Sequence, residues 1–345
     1  MIPLVKTGGS PREIGHDVGT EMREPLRAAI AATREGCTSP SAWDAMVNAV
    51  VLYLEATERE APEILDEMRG MAEASGVPLT ELMAHNAAEE LDQAAGRFGC
   101  TVIGVTPAGS VDGHVLLGHN EDTTAGWADY AYVIHAEPAT APAFVAFTYA
   151  GYLLHQGLNA TGLGSVGNAL YARDARVGIP KLLLYRRALM QRTLEDAIRS
   201  VTDPARGFGN NHLFANAEGD IYDVEVSGNR SALLHAGNGF LAHANHFVSP
   251  ELAHLDRDDD LLNSRLRQNR VERLAEAQWG ALSVETVKGI LADHSNYPRS
   301  VCKHHALESD LDYGTIGSVV IDVTDRGLWA CAGNPCRAAW RAVEL

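Results

Sequence analysis

The stretch FGCTVIGV, residues 98–105, marks the point where the sequence changes from a helical to a strand pattern. Before it, residues 10–92 repeat apolar side chains at helical spacing. One face of this run carries Ile14, Val18, Met22, Leu26 and Ile30. After it, short alternating runs predominate, and two groups of helical segments interrupt them. Grouped helices among many antiparallel-type strands predict an α+β fold in which helices sandwich the sheets.

The composition is that of a globular chain with a large negative charge. The chain has 345 residues, 46% apolar and 21% charged, enough for one large domain or two smaller ones. A formal charge of −17 repels nucleic acid and anionic membranes, so neither is an expected partner. The chain lacks an apolar run long enough for a membrane span, and its opening lacks a signal-peptide pattern, which favours a cytoplasmic location.

The cysteines are few and odd in number, which predicts reduced thiols rather than a disulfide framework. Two of them, Cys37 and Cys100, lie in Gly-Cys-Thr tripeptides. Gly36 follows one helical run and precedes another, so we interpret Gly36 as a helix cap and Cys37 as a packing thiol. Cys100 stands where a helical run ends and a strand begins, a rigid position from which a nucleophile can face a cleft.

A hairpin is predicted after Cys100, because the turn-like AGSVDG contains the hairpin dipeptide Asp112-Gly113. With a turn centred near residue 110, antiparallel pairing places Cys100 opposite residues near 120, about 4.5–5.5 Å away. That register brings three residues of GHNED to the thiol: Asn120, Glu121 and Asp122. Since neighbours on a strand face opposite ways, Glu121 points either to Cys100 or to solvent.

A nucleophilic thiol needs a base, and the sequence places no histidine beside Cys100, although any of the fourteen histidines can fold nearby. Cleavage of the Gly99–Cys100 bond would create a base, because an α-amine has a pKa of about 7.7–8.0 and works near neutral pH. Gly99 suits such a cleavage. Without a Cβ it permits strained backbone and a close approach of the thiol to its carbonyl.

Six segments, in order, resemble the penicillin acyltransferase-like family of N-terminal-nucleophile (Ntn) hydrolases. They are GGSPREIGHDVG (8–19), GCT (99–101) with GHNED (118–122), TYAGYLLHQGLNATGLGSVGNAL (148–170), HANHF (243–247), NYPRSVCKH (296–304) and AGNP (332–335). The resemblance covers nearly the whole chain. It implies a four-layer αββα sandwich that is made as a precursor and cuts itself before Cys100.

The resemblance also implies roles for single residues. Cys100 is expected to attack first the Gly99 carbonyl and later a substrate amide, with its freed α-amine as base. Asn245 would donate to the oxyanion, and Asp122 would orient Cys100 or assist cleavage. Cleavage would leave residues 1–99 as a helical α chain and 100–345 as a catalytic β chain, together one structural domain and a heterodimer.

Four further residues are weaker candidates for contact with the substrate: Tyr149, Asn168, His243 and His246. For the two histidines, which flank Asn245, the alternative is that they fix their loop by hydrogen bonds. For Tyr149 and Asn168 the alternative is an ordinary place at a strand end.

These features lead us to expect a self-processing cysteine amidohydrolase that cleaves a small N-acyl amine through a Cys100 acyl-enzyme. Glu121, a second carboxylate beside the nucleophile, favours a cationic substrate such as a β-alanyl amide. Two alternatives stay open: an acyltransferase that uses coenzyme A as co-substrate, and a non-catalytic binding protein on the same fold. No other cofactor is expected, and homo-oligomerisation is left open.

Two further patterns are interpreted as structural. GLGSVG (162–167) matches a dinucleotide-binding spacing, but no good helix follows and position 182 is Leu where an acidic residue is required. We therefore predict a glycine-rich strand and turn there. A set of thiols and imidazoles lacks a usual zinc spacing, so no metal site is predicted: Cys302, His304, His305, Cys331 and Cys336.

Overall fold

The computed structural model describes residues 2–91, 99–124, 126–237, 239–257, 261–305 and 313–345. The strands in these ranges are β1 (Leu4–Gly9), β2 (Gly99–Val105), β3 (Leu116–Thr124), β4 (Ala131–Pro138), β5 (Phe144–Tyr149), β6 (Gln156–Asn159), β7 (Leu163–Ala169), β8 (Asn210–Asn216), β9 (Ile221–Val226), β10 (Ser231–His235), β11 (Phe240–His243), β12 (Tyr313–Asp322), β13 (Gly327–Ala332) and β14 (Arg341–Glu344).

The α-helices in the same ranges are α1 (Pro11–Glu21), α2 (Arg23–Gly36), α3 (Pro40–Glu60), α4 (Pro62–Ser75), α5 (Leu79–Asn86), α6 (Ala88–Leu91), α7 (Lys181–Leu189), α8 (Leu194–Thr202), α9 (Leu262–Glu276) and α10 (Val284–Leu291). In this described part of the chain, no helix has both the length and the apolar character that crossing a membrane requires.

The strands form two sheets. The first has the order β1-β4-β5-β6-β7-β8-β9-β10, and the second has the order β11-β2-β3-β12-β13-β14. The first strand, β1, runs parallel to β4, whereas β2 and β3 form the predicted antiparallel hairpin. The hairpin pairs Cys100 with Glu121, which confirms the register expected from a turn near residue 110.

Alternate side chains of the second sheet face two different cores. Val102 of β2 packs between the two sheets, in a core that also contains Leu213 of β8. The next residue, Ile103, faces the opposite way and packs against Val287 of α10. The far face of the first sheet is covered by helices, since Tyr132 of β4 shares a core with Met68 of α4. The layers are therefore helix, sheet, sheet, helix, and the predicted α+β αββα fold is confirmed.

The N-terminal segment is mainly helical, as the sequence predicts, although residue 92 lies outside the described residues. The whole predicted apolar face is buried: Ile14, Val18, Met22, Leu26 and Ile30. Glycines let α1 approach α4 closely, because a Cβ on Gly15 would lie only 1.8 Å from the Glu67 carbonyl oxygen. One feature was not predicted: residues 4–9 form a strand, and the pairing of β1 with β4 ties this segment into the first sheet.

Two further predictions, for GLGSVG and for Gly36 with Cys37, can be compared with the structure. Residues 163–169 form β7 and Gly162 has a φ of +78°, so GLGSVG is the predicted strand and turn. Gly36 is the last residue of α2 and Cys37 caps it, so the cap lies one residue later than expected. The Cys37 thiol donates to the Thr33 carbonyl oxygen at 3.4 Å and packs at the edge of the helical core, as a packing thiol should.

Candidate active site

Cys100 is the second residue of β2, and its side chain lies in the space between the two sheets. It is 3% exposed. Directly paired residues of an antiparallel ladder point to the same face of the sheet, so Glu121 points to the thiol rather than to solvent. The Cys100 Sγ lies 3.5 Å from Glu121 Oε1. The choice that the sequence left open for Glu121 is therefore decided by the strand register.

Two imidazoles hold the Glu121 carboxylate. His119 Nε2 lies 3.0 Å from Glu121 Oε2, and His155 Nδ1 lies 3.4 Å from the same oxygen. Burial raises the pKa of Glu121, but the contacts with His155 and His119 outweigh it and lower that pKa below its ordinary value. Burial also lowers the pKa of His155 to about 4. At neutral pH the group beside the thiol is therefore an ionised carboxylate, with neutral His155 against it.

The thiol itself is held in its protonated form. Burial, and then the negative charge of Glu121, raise the pKa of Cys100 well above its ordinary value. A buried thiol with this environment does not ionise by itself near neutral pH, so its reaction requires a group that accepts its proton. The Glu121 oxygen at 3.5 Å is in position to do so.

The backbone nitrogen of Cys100 is held from another part of the chain. It donates to Asn245 Oδ1 at 2.8 Å. Arg267 Nη2 donates to the same oxygen at 2.7 Å, and Asn245 Nδ2 donates to the Ala169 carbonyl oxygen at 3.1 Å. Asn245 thus contacts Cys100 through its side-chain oxygen. An oxyanion role would require its Nδ2, which instead donates to the Ala169 carbonyl oxygen.

Arg267, on α9, fixes the same stretch of β2 from the helical side. Its Nη1 donates to the Cys100 carbonyl oxygen and, at 2.6 Å, to Thr101 Oγ1. A role for Arg267 was not predicted from the sequence, because it is one of several arginines on an amphipathic helix and no local motif distinguishes it.

The two histidines that flank Asn245 support its loop. His243 Nε2 lies 2.8 Å from Glu225 Oε1, and His243 Nδ1 lies 2.7 Å from the Ala244 carbonyl oxygen. His243 is fully buried with both ring nitrogens bonded to protein, which favours the loop-fixing interpretation over contact with substrate. His246 Nδ1 bonds to Ser264 Oγ at 2.8 Å, which favours the loop-fixing interpretation for it too.

The opposite face of β2 carries a second polar group at Gly99. Asp122 pairs with Gly99 across the ladder, and its Oδ2 lies 3.1 Å from Lys303 Nζ. Thr315 Oγ1 donates to Asp122 Oδ1 at 2.7 Å. A Cβ on Gly99 would lie 2.6 Å from Lys303 Nζ and 2.9 Å from Asp122 Oδ2, so no side chain fits there. Lys303 lies within the quoted NYPRSVCKH segment, but its role was missed.

Aromatic and polar side chains surround the thiol on the inner face. The Tyr149 and His155 rings are 6.0 Å apart, and the Tyr185 ring lies 5.8 Å from that of His155. The buried hydroxyl of Tyr149 has no hydrogen-bond partner among the described residues. Asn168 Nδ2 donates to the Ala244 carbonyl oxygen at 3.1 Å, while its Oδ1 has no partner in that described part. Each residue therefore has one buried polar atom that no described part of the protein satisfies.

Of the five cysteines and histidines whose spacing did not predict a zinc site, three lie together in the structure and two lie apart from them. Cys302, His304 and Cys336 converge with His294, which the sequence did not suggest. His305 instead lies 3.2 Å from the Thr123 carbonyl oxygen. Cys331 is fully buried in β13 and does not belong to that group.

Two face-to-face sheets between helical layers, with a cysteine at the start of an inner strand, define the N-terminal-nucleophile class of hydrolase folds. A family model for acyl-coenzyme A:6-aminopenicillanic acid acyl-transferase matches residues 110–337, about two thirds of the chain, and the chain belongs to this family. The protein is accordingly an enzyme that acts on amide bonds, as a hydrolase or an acyltransferase. None of the curated proteins matches the chain significantly.

Solved structures with a similar fold share little sequence with this chain. An N-acylethanolamine-hydrolyzing acid amidase ortholog from Caenorhabditis elegans is 14% identical, with 65% of this chain and 93% of that chain covered and a TM-score of 0.48. Penicillin V acylase from Agrobacterium tumefaciens is 12% identical, with 71% and 86% covered and a TM-score of 0.49. At these values the similarities carry no argument about substrate or mechanism.

Proposed function

We propose that the protein is a self-processing cysteine amidohydrolase that cleaves a small N-acyl amine through an acyl-enzyme on Cys100. The observation that carries the proposal is the surroundings of this one residue. Its thiol faces the ionised Glu121 carboxylate, and its backbone nitrogen is held by the Asn245 oxygen. A packing cysteine needs neither contact, whereas a nucleophile that is also a chain terminus needs both.

In the first step, the Cys100 Sγ attacks the carbonyl carbon of Gly99. Before cleavage the Cys100 nitrogen is an amide and cannot act as a base, so Glu121 accepts the thiol proton. The carbon–nitrogen bond breaks, the nitrogen takes up a proton, and Gly99 is left as a thioester. Water hydrolyses that thioester, which yields the Gly99 carboxylate and a free α-amine and thiol on Cys100. Asp122 and Lys303 pack against Gly99 on its other side and hold the scissile residue in place.

In the second reaction, the free α-amine is the base. Its ordinary pKa of about 7.7–8.0 suits proton transfer near neutral pH, and Asn245 Oδ1 orients the amine by accepting a hydrogen bond from it. The thiolate attacks the amide carbon of the substrate, the amine leaves with the proton, and an acyl-Cys100 thioester forms. Water, activated by the same α-amine, then releases the acid. This positioning role for Asn245 replaces the oxyanion role expected from the sequence.

The charges around the thiol favour a cationic acyl group. Glu121 is a buried carboxylate, and the rings of Tyr149 and Tyr152 lie beside it. A β-alanyl group carries an ammonium that this carboxylate and these rings attract. A butyryl group has nearly the same shape without the charge. We therefore expect the β-alanyl amide of a given amine to be hydrolysed at least tenfold better in kcat/KM than its butyryl amide. Equal rates would remove the cationic substrate class.

The second candidate function is acyl transfer from coenzyme A, which the activity that gives the family its name favours. It uses the same Cys100 thioester, with an amine instead of water as the acceptor. The two functions are separated by incubating the processed enzyme with an acyl-CoA and an amine. Amide formation in proportion to coenzyme A release would identify a transferase. Release of free acid from an N-acyl amine, with no effect of added coenzyme A, supports the hydrolase.

A further inference from the structure

Four side chains with metal-binding atoms converge near the C-terminal end of α10. They are His294, Cys302, His304 and Cys336, and all four ligand atoms lie within 4.8 Å of one another. They come from three places: the residues after α10, the segment before β12 and the turn after β13. None of these residues takes part in the proposed chemistry of Cys100.

The distances between the ligand atoms are those of a tetrahedral site. Cys302 Sγ and Cys336 Sγ are 3.6 Å apart, both sulfurs lie 3.5 Å from His304 Nε2, and the two imidazole Nε2 atoms are 3.0 Å apart. A zinc ion with bonds of about 2.3 Å to sulfur and 2.0–2.1 Å to nitrogen at tetrahedral angles separates these atom pairs by about 3.8, 3.6 and 3.3 Å. These four pairs agree with such a site to within about 0.3 Å, and the two remaining pairs, His294 with each sulfur, lie within 4.8 Å.

We propose that His294, Cys302, His304 and Cys336 form a structural zinc site. Two thiolates and two imidazoles are a donor set that selects zinc, whereas magnesium and calcium require oxygen ligands. Four protein ligands leave no open position, which is typical of a structural rather than a catalytic ion. The two thiols make only weak hydrogen bonds, so a shared ion accounts for their convergence with two imidazoles.

The surroundings of the cluster support its ligands. Asn334 Nδ2 lies 3.6 Å from Cys302 Sγ and donates to the Lys303 carbonyl oxygen at 2.8 Å. The backbone nitrogen of Cys302 donates to the Asp293 carbonyl oxygen at 3.0 Å. Cys302 and His304 are buried, whereas His294 is exposed, which gives an ion a path into the site.

The zinc site would also position Lys303. This residue lies between the ligands Cys302 and His304, and its Nζ is 3.1 Å from Asp122 beside Gly99. Loss of the ion would therefore loosen the side chain that packs against the scissile residue. This link to cleavage rests on the proposed function, but the presence of zinc does not, so metal content is measured separately from processing.

The test is the zinc content of the full chain, expressed without a histidine tag in zinc-supplemented medium and purified under reducing conditions without chelators. We expect one equivalent of zinc per chain by elemental mass spectrometry. Cys336→Ser and His294→Gln should each lose most of it. Two matched controls outside the cluster, Cys331→Ser and His305→Gln, should retain it. A processed chain without zinc would overturn the zinc site and leave the proposed function intact.

Cobalt substitution of the wild-type chain tests the ligands without any variant. Tetrahedral cobalt bound by two thiolates gives intense visible bands and a sulfur-to-metal charge-transfer band, and this spectrum is expected. A wild-type chain without zinc that also binds no cobalt after reduction would overturn the proposal. So would a Cys302–Cys336 disulfide found by peptide mass mapping of protein purified under these conditions, because oxidised sulfurs cannot ligate the ion.

Discussion

In the proposed mechanism, the first chemical step depends on Glu121. Its carboxylate lies 3.5 Å from the buried thiol, and its pKa is lowered below its ordinary value despite burial. Glutamate elsewhere in the sequence offers the same functional group. What distinguishes this one is its place opposite Cys100 in the ladder.

Replacing Glu121 with Gln should slow self-cleavage on the order of 10²–10³-fold, because an amide of the same shape cannot accept the thiol proton. The rate is measured by following fragment formation after pulse-labelled synthesis of the chain. Asp112→Asn, the same change at an exposed position of the connecting turn, is the control and should cleave normally. Wild-type cleavage in Glu121→Gln would remove Glu121 from the mechanism.

In the proposed mechanism Asn245 orients the α-amine through its side-chain oxygen. Two substitutions distinguish this role from donation of a hydrogen bond to the oxyanion. Asn245→Asp keeps the acceptor, so it should lose less than about tenfold in kcat/KM at its optimal pH, whereas Asn245→Ala should lose about 100-fold. The added charge stabilises the ammonium form of the α-amine, so the acidic limb of the pH profile should move to higher pH. If Asn245 instead donates to the oxyanion, Asn245→Asp should lose as much kcat/KM as Asn245→Ala.

Among the elements, the hairpin of β2 and β3 places Gly99 beside Asp122, and Lys303 packs against the same glycine from the segment before β12. Gly99→Ala places a methyl group 2.6 Å from Lys303 Nζ, so these groups must move. Self-cleavage should slow on the order of 100-fold.

The control for Gly99→Ala is the other Gly-Cys-Thr tripeptide. A Cβ on Gly36 meets no atom within 4 Å, so Gly36→Ala should cleave at the wild-type rate. Equal behaviour of the two alanine variants, measured by the same fragment assay, would mean that the packing at Gly99 has no part in cleavage.

The loop that carries Asn245 depends on a buried ion pair. Burial lowers the pKa of His243, but Asp223 and Glu225 outweigh it and raise that pKa to about 9. A pKa above that of the unfolded chain stabilises the fold fully below pH ~6.5, and this stability is lost as pH rises through ~9. The free energy of unfolding should therefore fall by at most about 3 kcal/mol across this window.

This pH dependence is measured by urea unfolding in a Cys100→Ala background, where the chain is uncut. His243→Gln removes the titrating group, so the decline between neutral and alkaline pH should flatten in that variant. An equally steep decline in His243→Gln would assign the effect to other groups.

The hairpin shows which parts of the site could be predicted from sequence. A turn near residue 110 and a strand beginning at Cys100 fix the pairing with Glu121, because an antiparallel register follows from its turn. Lys303, Arg267 and His155 could not be found this way. They come from distant segments, and only the stacking of whole layers brings them to Cys100. Cys302, His304 and Cys336 were considered from the sequence but set aside on their spacing, and His294 was not suggested, because the four residues belong to three separate segments.

In the whole molecule, the segments before and after the proposed cut, residues 1–99 and 100–345, share a sheet and a core. Strand β1 precedes the proposed cut and pairs with β4, which follows it. Met68 and Ile14, before the cut, share one core with Tyr132 and Phe144 after it. At about 25 cal/mol for each Å² of apolar surface, such a core holds two chains together without a covalent link.

Self-cleavage before Cys100 underlies the whole proposed mechanism, and mass spectrometry of freshly purified protein measures it directly. Under denaturing conditions, we expect two fragments that separate between Gly99 and Cys100, and a single complex of both under native conditions. Cys100→Ala should be intact, whereas Cys37→Ala should be cut like the wild type. An intact wild-type chain, or a cut at another bond, would contradict self-cleavage between Gly99 and Cys100.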